Sequence, residues 1–277
     1  MKVAFISDIH ANLEALKAVI ADCKSLKADK IICLGDIVAK GIHPHECIEI
    51  VRANCEVVLQ GNTDHRYSDD PEKFKTDQLE YDRLLFNQSL MTQDDINYLK
   101  NLPLTYEFYL SGNLIRCFHA TPTSPFGFVN DYDLDMKKKF SLFLPSEFTK
   151  SDKTADIAVY GHLHYPYLLP IYNRKILNTG SVGSSTCGFF AENLNASPDE
   201  ITKAHYLLLE GNAGQEKGDL TITFRSVPYM VDAELKDNEK LNPEFDAYKA
   251  ELKEGKYRNI SRVKTLVESI GYTNYDF

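Results

Sequence analysis

The stretch that decides the fold is residues 2–36, KVAFISDIHANLEALKAVIADCKSLKADKIICLGD. Its apolar run at 2–7 predicts a buried strand. The apolar residues of 12–27 recur at helical spacing, and Asn12 is placed to cap that helix. A second apolar run at 30–34 predicts another strand. A strand, a helix and a strand in this order form a βαβ unit, so the sequence predicts a parallel sheet in an α/β fold.

The rest of the chain continues this pattern and then changes it. Residues 44–54 begin with Pro44 and predict a second helix, and residues 55–59 predict a third strand. In the second half, the turn signals favour strands that pair mainly in antiparallel fashion. These predicted strands are 104–110, 114–118, 156–160, 167–172, 175–178, 205–210 and 219–227.

Four segments fall outside this alternation of strands. Residues 66–102 predict a helical excursion, and residues 120–150 predict a loop with a short helix. Both leave the chain next to polar motifs, so we expect them to frame the entrance to a site. Residues 184–203 predict a long loop, and residues 244–270 predict a helix packed across the domain.

The composition is that of an ordinary globular protein, with 277 residues, 43% hydrophobic and 26% charged. No apolar run reaches the roughly 18 residues that predict a membrane-spanning helix. The six cysteines form no CxxC pair, so we expect free thiols and a cytoplasmic location.

The net charge of −9 bears on possible partners. Long nucleic acid is bound mainly through phosphate neutralisation by a basic surface. The only basic run is residues 137–139, which we interpret as a solvated helix face. The charge therefore disfavours a nuclease that acts on long polymers, and it leaves the oligomeric state open.

Five short polar motifs each follow a predicted strand. Loops at the carboxyl ends of strands converge in open α/β sheets, so these side chains are expected to meet. Carboxylate, amide oxygen and imidazole together suit Mn²⁺, Fe²⁺ or Zn²⁺ better than Ca²⁺ or Mg²⁺. The motifs are Asp8-Ile9-His10, Gly35-Asp36, Gly61-Asn62-Thr63-Asp64, His119 and Gly161-His162-Leu163-His164.

This ordered set resembles the calcineurin-like metallophosphoesterase superfamily. The similarity extends through ISDIHANLEAL, IICLGDIV, VVLQGNTD, FHATP, YGHLHYP and LNTGSVG, and covers residues 1–230. The sequence looks most like the bacterial branch related to diadenosine tetraphosphatases and small phosphodiesterases. The resemblance implies a four-layer α/β/β/α sandwich of two mixed β-sheets flanked by helices, with the metal site at the carboxyl ends of the strands. Residues 231–277 would be a helical extension packed on that domain.

The resemblance also implies a set of ligands for two divalent transition metal ions. Asp8, His10 and His164 would hold one ion, and Asn62, His119 and His162 the other. Asp36 would bridge the two. Asp36, His119, Thr63 and Asp64 are the expected catalytic residues, and manganese is one expected metal.

The implied activity is hydrolysis of a small phosphodiester or nucleotide-type substrate by a metal-bridging hydroxide. Two divalent ions would meet only two carboxylates, Asp8 and Asp36, so the site would keep a formal charge of about +2, which favours an anionic phosphate. One alternative is a phospho-ligand-binding or regulatory module with weak turnover. A second alternative is a protein phosphatase.

Position 63 departs from the family pattern. The family often has a histidine at the place of Thr63, and that histidine is often assigned as the acid for the leaving group. A threonine hydroxyl cannot deliver a proton as an imidazolium does. Asp64 then either orients a group at position 63 or supports the loop. His65 is a possible substitute acid, although an exposed loop histidine is the simpler interpretation.

Several other side chains allow a functional and a structural interpretation. Arg66 could clamp phosphate or form a surface ion pair. His43 and His45 flank Pro44 at a helix start, where solvated side chains are expected. Tyr165 and Tyr167 could stack on a base or aryl group, or belong to the core.

Overall fold

We describe residues 1–186 and 203–255 of a computed structural model of the chain. The strands are β1 (Lys2–Ile6), β2 (Lys30–Cys33), β3 (Val57–Val58), β4 (Thr105–Leu110), β5 (Asn113–Phe118), β6 (Ile157–Tyr160), β7 (Pro166–Ile171), β8 (Arg174–Thr179), β9 (Lys203–Gly211) and β10 (Leu220–Pro228). The helices are α1 (Leu13–Ser25), α2 (Pro44–Asn54), α3 (Asn62–Tyr67), α4 (Gln78–Ser89), α5 (Gln93–Lys100), α6 (Met136–Ser141), α7 (Val231–Asn238) and α8 (Phe245–Glu254), with a 3₁₀ turn at Pro71–Phe74.

The strands form two five-stranded mixed sheets. The first has the order β10-β9-β1-β2-β3, in which β1, β2 and β3 are parallel, as the βαβ pattern predicts. β9 pairs antiparallel with β1, and β10 with β9. The chain therefore returns to its first strand after about 200 residues, a pairing that local sequence patterns cannot reveal.

The second sheet has the order β4-β5-β6-β8-β7. Its two edge strands are antiparallel to their neighbours, as the turn signals predict. The three central strands β5, β6 and β8 are parallel to one another. The prediction of mainly antiparallel pairing is wrong for this centre, because the long segment between β5 and β6 acts as a crossover connection.

Alternating side chains of β1 show how the layers are stacked. Val3 and Phe5 lie in an apolar cluster shared with β5, β6 and β8, so this face packs against the second sheet. Ala4 and Ile6 lie in a different cluster, with residues of α1 and α2. Successive side chains of a strand point to opposite faces, so one short run supplies both interfaces. This stacking confirms the predicted sandwich of two sheets between helices.

The outer face of the second sheet is covered by α6 and the loops around it. Phe118 and Tyr160 pack there against Phe143. This layer also contains Arg116, which is fully buried. Its Nε donates to Glu107 Oε1 at 2.7 Å, and its Nη2 donates to the Lys153 carbonyl at 2.8 Å. A buried ion pair with these additional hydrogen bonds ties the loop layer to the sheet.

Helix ends follow the local sequence. Asn12 Oδ1 accepts a hydrogen bond from the Ala15 amide at 3.0 Å and caps α1, as predicted. Gly255 has a left-handed φ of 65° and ends α8 at Glu254. The predicted helix at 244–270 therefore starts where expected but stops earlier. Its remaining residues, and most of the predicted loop at 184–203, lie outside the described ranges.

Within those ranges, no helix is both long enough and apolar enough to cross a membrane.

Candidate metal centre and the cavity beside it

Five of the seven predicted metal ligands have a left-handed backbone. The φ angles are 55° at Asp8, 52° at His10, 55° at Asp36, 68° at His162 and 66° at His164. Such angles are uncommon outside glycine and cost free energy, so they persist where the surrounding structure imposes them. All five lie on loops at the carboxyl ends of strands, so the strain is concentrated at one edge of the molecule.

Two motif glycines are needed because neighbouring atoms leave no space for a side chain at their positions. A Cβ at Gly61 would lie 2.2 Å from Asp36 Oδ1, and a Cβ at Gly161 would lie 2.5 Å from Asp8 Oδ2. Both distances are far shorter than any real contact. These glycines let the backbones of neighbouring loops pack directly against the carboxylates.

Asp8, His10 and His164 form the first cluster of candidate ligands. His10 Nε2 and His164 Nε2 are 3.0 Å apart, and Asp8 Oδ1 lies 3.3 Å from His164 Nε2. The other ring nitrogens, His10 Nδ1 and His164 Nδ1, lie 3.2 Å and 2.7 Å from the carbonyls of Val38 and Ser184. A carbonyl only accepts, so both Nδ1 atoms carry protons, and in the neutral tautomer each Nε2 presents a lone pair.

Asn62, His119 and His162 form the second cluster. His119 Nε2 lies 3.0 Å from Asn62 Oδ1 and 3.2 Å from His162 Nδ1. His119 Nδ1 lies 3.0 Å from the Leu34 carbonyl, which fixes the proton on Nδ1 and leaves the lone pair on Nε2. An imidazole lone pair therefore faces an amide oxygen that also accepts.

Asp36 lies between the two clusters. Its Oδ2 is 3.7 Å from His10 Nε2, and its Oδ1 is 3.5 Å from His119 Nε2. Oδ1 also accepts a hydrogen bond from the Thr63 amide at 2.8 Å. One carboxylate therefore reaches both sets of ring nitrogens.

The candidate ligand atoms are mostly hydrogen-bond acceptors that face other acceptors, an arrangement that a divalent cation stabilises. Lone pairs of His10 and His164 face each other at hydrogen-bond distance with no proton between them in the neutral rings. Asp8 Oδ1 is buried and has no hydrogen-bond partner within residues 1–186 and 203–255. Buried acceptors without donors are costly, and a cation resolves each of these conflicts. Imidazole, carboxylate and amide oxygen are donors that Mn²⁺, Fe²⁺ and Zn²⁺ accept.

The ionisation of the metal-free site agrees with this fit. Burial and the nearby His119 lower the pKa of His162 to about 3. Burial, Lys40 and His164 also lower the pKa of His10. Both rings are therefore neutral at physiological pH and can offer lone pairs. Burial and the Asp8 carboxylate raise the pKa of Asp36 to about 7.

The model of the family described as "Calcineurin-like phosphoesterase" matches residues 1–178. The chain belongs to the calcineurin-like phosphoesterase family. It is therefore a metal-dependent phosphoesterase, and the resemblance seen in the sequence is confirmed.

One relative is similar in sequence, and two solved structures share the fold of this chain. The chain is 30% identical over 181 residues to the uncharacterized protein MJ0912 of Methanocaldococcus jannaschii, covering 65% of this chain and 69% of that protein. A metallophosphoesterase structure from Sphaerobacter thermophilus superposes with a TM-score of 0.65 at 22% identity, covering 91% of this chain and 98% of the other. The hypothetical protein PH1004 from Pyrococcus horikoshii OT3 gives a TM-score of 0.70 at 20% identity, covering 92% and 99%.

In this phosphoesterase, Asp64 is bound to the backbone of the metal loops. It is fully buried, and its Oδ2 accepts from the amides of Asp36 at 2.7 Å and Gly61 at 2.9 Å. Its Oδ1 accepts from the Ile37 amide at 2.8 Å. The sequence leaves two roles open for Asp64, orienting a group at position 63 or supporting the loop. These hydrogen bonds favour support of the loop.

Thr63 lines the cavity beside the clusters, and its hydroxyl donates to the Val38 carbonyl at 3.2 Å. His65 is exposed on α3, where its Nδ1 lies 3.1 Å from Gln60 Oε1 and its ring packs on Phe126. His65 is not among the residues that line the cavity. His65 is therefore exposed as predicted, but it lies on a helix and not on a loop.

The remaining candidates have structural partners. His45 Nδ1 lies 2.8 Å from Asp95 Oδ2, and His43 lies near Glu46. Tyr165 donates to Asp131 at 2.7 Å and stacks on Tyr167. In these positions the histidines and tyrosines serve packing and surface ion pairs.

The basic run at 137–139 is only partly a solvated face. Lys139 is buried and its Nζ donates to the Asp131 carbonyl at 2.7 Å, whereas Lys138 pairs with Asp133 at 2.7 Å. The solvated-face interpretation is therefore wrong for Lys139, whose amine joins α6 to the loop before it.

A cavity of about 490 Å³ opens beside the metal clusters. Its lining includes His10, Asp36, Asn62 and both histidines of the last motif. The far wall comes from α3, α4 and the 242–244 turn. The predicted excursion at 66–102 thus contributes to the cavity. The excursion at 120–150 does not line it, although Phe128 contacts the His162 ring at 6.3 Å between centroids.

The sequence reasoning missed the wall residues Lys40, Arg83, Asn242 and Glu244. Lys40 Nζ donates to Ser184 Oγ at 2.9 Å and to Glu251 Oε1 at 3.1 Å. Lys40 lies four residues after Asp36 of the second motif, so its place near the site could have been inferred. The contribution of the 242–244 turn had no signal in the sequence, because it depends on how α7 and α8 pack.

Proposed function

We propose that this phosphoesterase binds two divalent transition metal ions and hydrolyses small phosphodiesters or nucleotide-type esters in the cavity beside them. The observation that carries the proposal is the pair of clusters in which unprotonated acceptor atoms face each other, with Asp36 between them. Asp8, His10 and His164 are the proposed ligands of one ion, and Asn62, His119 and His162 those of the other. Mn²⁺, Fe²⁺ and Zn²⁺ are the proposed metals.

When bound, two divalent ions supply Lewis acids for the phosphoryl oxygens and lower the pKa of a water molecule. The chain contributes the charge balance that recruits the substrate. Two carboxylates against two divalent ions leave a formal charge of about +2, which attracts a phosphate although the whole chain carries −9. Lys40 also lines the cavity, and its ammonium is paired there with Glu251.

The size and shape of the cavity favour a small substrate. A volume of about 490 Å³ lies within the range of pockets for drug-sized ligands. A mononucleotide ester or a similar molecule fits such a space, whereas a folded phosphoprotein would present only a side chain to it. These properties support a small phosphodiester over the protein phosphatase alternative.

Protonation of the leaving group limits which esters react well. The histidines that line the cavity within the described ranges are His10, His162 and His164, and all three belong to the metal clusters. Thr63 occupies the position at which the family often has a further histidine. We therefore expect the enzyme to favour esters whose leaving groups need little protonation.

A phosphoester panel tests the proposal. The protein is freed of metal and reconstituted separately with Mn²⁺, Zn²⁺, Fe²⁺, Ni²⁺ and Mg²⁺, and bis(p-nitrophenyl) phosphate is one substrate. We expect two metal equivalents per chain by elemental analysis and turnover that depends on the added metal. Tight binding of the ester with no turnover for any metal would instead support a phospho-ligand-binding module.

The cellular location stays an inference from the cysteines. Cys23, Cys33, Cys47, Cys55 and Cys117 are free thiols. Cys187 lies outside the described residues. Free cysteines are typical of a reducing compartment, which supports a cytoplasmic enzyme.

A further inference from the structure

The far wall of the cavity is acidic, although the enzyme acts on anions. We call the lining residues of segments 66–87 and 242–244 the distal wall, and none of them is a proposed metal ligand. It contains two arginines and three carboxylates, so its formal charge is −1. The ionisable residues are Arg66, Arg83, Glu80, Asp82 and Glu244.

Both arginines are already bonded to carboxylates of the same wall. Arg83 is bidentate to Glu244, with Nε to Oε2 at 2.8 Å and Nη2 to Oε1 at 2.6 Å. Its Nη1 donates to Glu80 Oε1 at 2.7 Å, and Arg66 Nη1 donates to Glu80 Oε2 at 2.7 Å. A second phosphate at this wall would have to displace these partly buried, charge-assisted bonds. The wall therefore repels a second anion rather than attracting one.

The same wall offers an unused acceptor and an apolar surface. Asn87 is 4% exposed, and its Nδ2 donates to the Arg83 carbonyl at 2.9 Å. Its Oδ1 is buried and has no hydrogen-bond partner in the described part of the chain. Such an acceptor gains most from an incoming N–H or O–H group. Leu79 and Phe86 line the cavity beside it and offer contact to an apolar face.

We propose that the distal wall is a subsite for a neutral organic substituent of the phosphodiester, one that bears hydrogen-bond donors and an apolar face, as a nucleoside does. Asn87 accepts from its donors, Leu79 and Phe86 contact its rings, and the net negative charge selects against a second phosphate. This inference rests on the proposed hydrolysis at the metal clusters. It adds a substrate class, the monoanionic diester of a neutral nucleoside, and it disfavours nucleoside polyphosphates.

Three chromogenic esters test the subsite. They are bis(p-nitrophenyl) phosphate, thymidine 5′-(p-nitrophenyl phosphate) and the 3′-phosphorylated form of the latter. In each, water oxygen bonds to phosphorus while the bond to p-nitrophenolate breaks, the electron pair leaves with the phenolate, and the water releases a proton to solvent. We expect kcat/KM for the nucleoside ester to exceed that for the bis-aryl ester. We expect the 3′-phosphate to lower kcat/KM by at least about fivefold, less so at high ionic strength.

Two variants probe the wall. Asp82 is exposed, so Asp82→Asn should fold normally and reduce the penalty of the 3′-phosphate by about two- to threefold. Glu216→Gln is the control, because Glu216 is equally exposed and does not line the cavity. Asn87→Leu should raise KM for the nucleoside ester by about three- to tenfold, while KM for bis(p-nitrophenyl) phosphate changes less than about twofold.

The outcomes separate this inference from the proposed function. Hydrolysis of the bis-aryl ester with equal or faster hydrolysis of the 3′-phosphorylated ester would overturn the subsite alone. It would show that the distal wall admits a second phosphate. If no ester is hydrolysed with any metal, the proposed function fails, but the subsite can still be tested by measuring nucleotide binding to the metal-loaded protein with calorimetry. Tighter binding of thymidine 5′-monophosphate than of thymidine 3′,5′-bisphosphate supports the subsite, and the reverse order refutes it.

Discussion

Replacing Asp64 with asparagine tests what the carboxylate does in the metal site. In the structure, its two oxygens accept hydrogen bonds from the amides of Asp36, Gly61 and Ile37, at 2.7 to 2.9 Å. An asparagine can keep one oxygen on Asp36 and Gly61. Its NH₂ group then faces the Ile37 amide, and two donors meet. The substitution changes only charge and hydrogen-bonding capacity, because the two side chains have nearly the same shape.

The expected cost follows from these contacts. One buried amide left unsatisfied costs about 1–3 kcal/mol, and loss of the charge weakens the two remaining bonds by about 1 kcal/mol each. An opposing effect comes from burial, which with the Asp36 carboxylate raises the pKa of Asp64 to about 7. A neutral side chain relieves part of that burial penalty. The net destabilisation should therefore be about 2–4 kcal/mol.

Urea unfolding of the metal-free protein measures this cost, and titration with Mn²⁺ measures the effect on the site. We expect metal affinity to fall by about 10- to 100-fold, because the loops that carry Asp36 and Asn62 lose a shared anchor. Ser151→Ala is a control for handling, since Ser151 lies on the loop before β6 and does not line the cavity. If Asp64→Asn left stability and metal affinity unchanged but slowed only esters with basic leaving groups, Asp64 would act on an acid and not on the backbone.

Four further outcomes are expected. Asp36→Asn should reduce kcat/KM more than removal of any single histidine ligand, because Asp36 contacts both clusters; equal losses in steady-state assays would argue against a bridging role. Thr63→His should raise kcat/KM mainly for alkyl esters, whose basic leaving groups need a proton, and change it little for activated aryl esters. A plot of log kcat/KM against the pKa of the leaving group, made for both proteins, measures this difference. Arg116→Met should lower the free energy of unfolding in urea by about 3–5 kcal/mol, because it leaves the buried Glu107 carboxylate without its cation. Arg225→Met is the comparison and should lower it by about 1 kcal/mol or less, because the ion pair of Arg225 with Asp22 is partly exposed. Because the folded-state pKa of Asp36, about 7, exceeds its usual value of 3.8, Asp36 contributes a loss of stability to the metal-free protein as pH rises from about 4 to about 7. His162, with a folded-state pKa of about 3, contributes an opposing gain, so Asp36→Asn should make the free energy of unfolding rise more steeply with pH than in the unaltered protein. The gain in Tm on adding Mn²⁺ to the unaltered protein should grow over that range, and a gain independent of pH would contradict this.

The sequence predicted the elements that carry the motifs because each has a strong local signal. Asn12 caps α1, Pro44 begins α2, and the apolar runs end at the polar residues that follow them. Ligands that follow parallel strands converge for a topological reason, so their meeting could be predicted without any contact information. The side-chain positions of Asp8 and His10 in the first cluster are the clearest example.

Asp64 shows a signal that was present in the sequence but not used. Gly61 precedes α3 as its N-cap, and Asp64 is the third residue of that helix. An acidic residue at this position commonly bonds back to the N-cap amide, as it does here at 2.9 Å. That spacing alone would have favoured the loop-supporting role over the orientation of an acid. The additional bonds to Asp36 and Ile37 could not be read from spacing, because they cross to another strand's loop.

The far wall of the cavity marks the limit of local reasoning. Arg83 on α4 binds Glu244 across 161 residues of sequence, and Lys40 beside the metal clusters binds Glu251 across 211 residues. Both partners lie beyond residues 1–178, the part that matches the family. The motifs lie within the matched part, whereas Glu244 and Glu251 come from the segment after it. The candidate ligands of this phosphoesterase can therefore be found in short motifs, whereas the ion pairs of its cavity wall come together only in the folded chain.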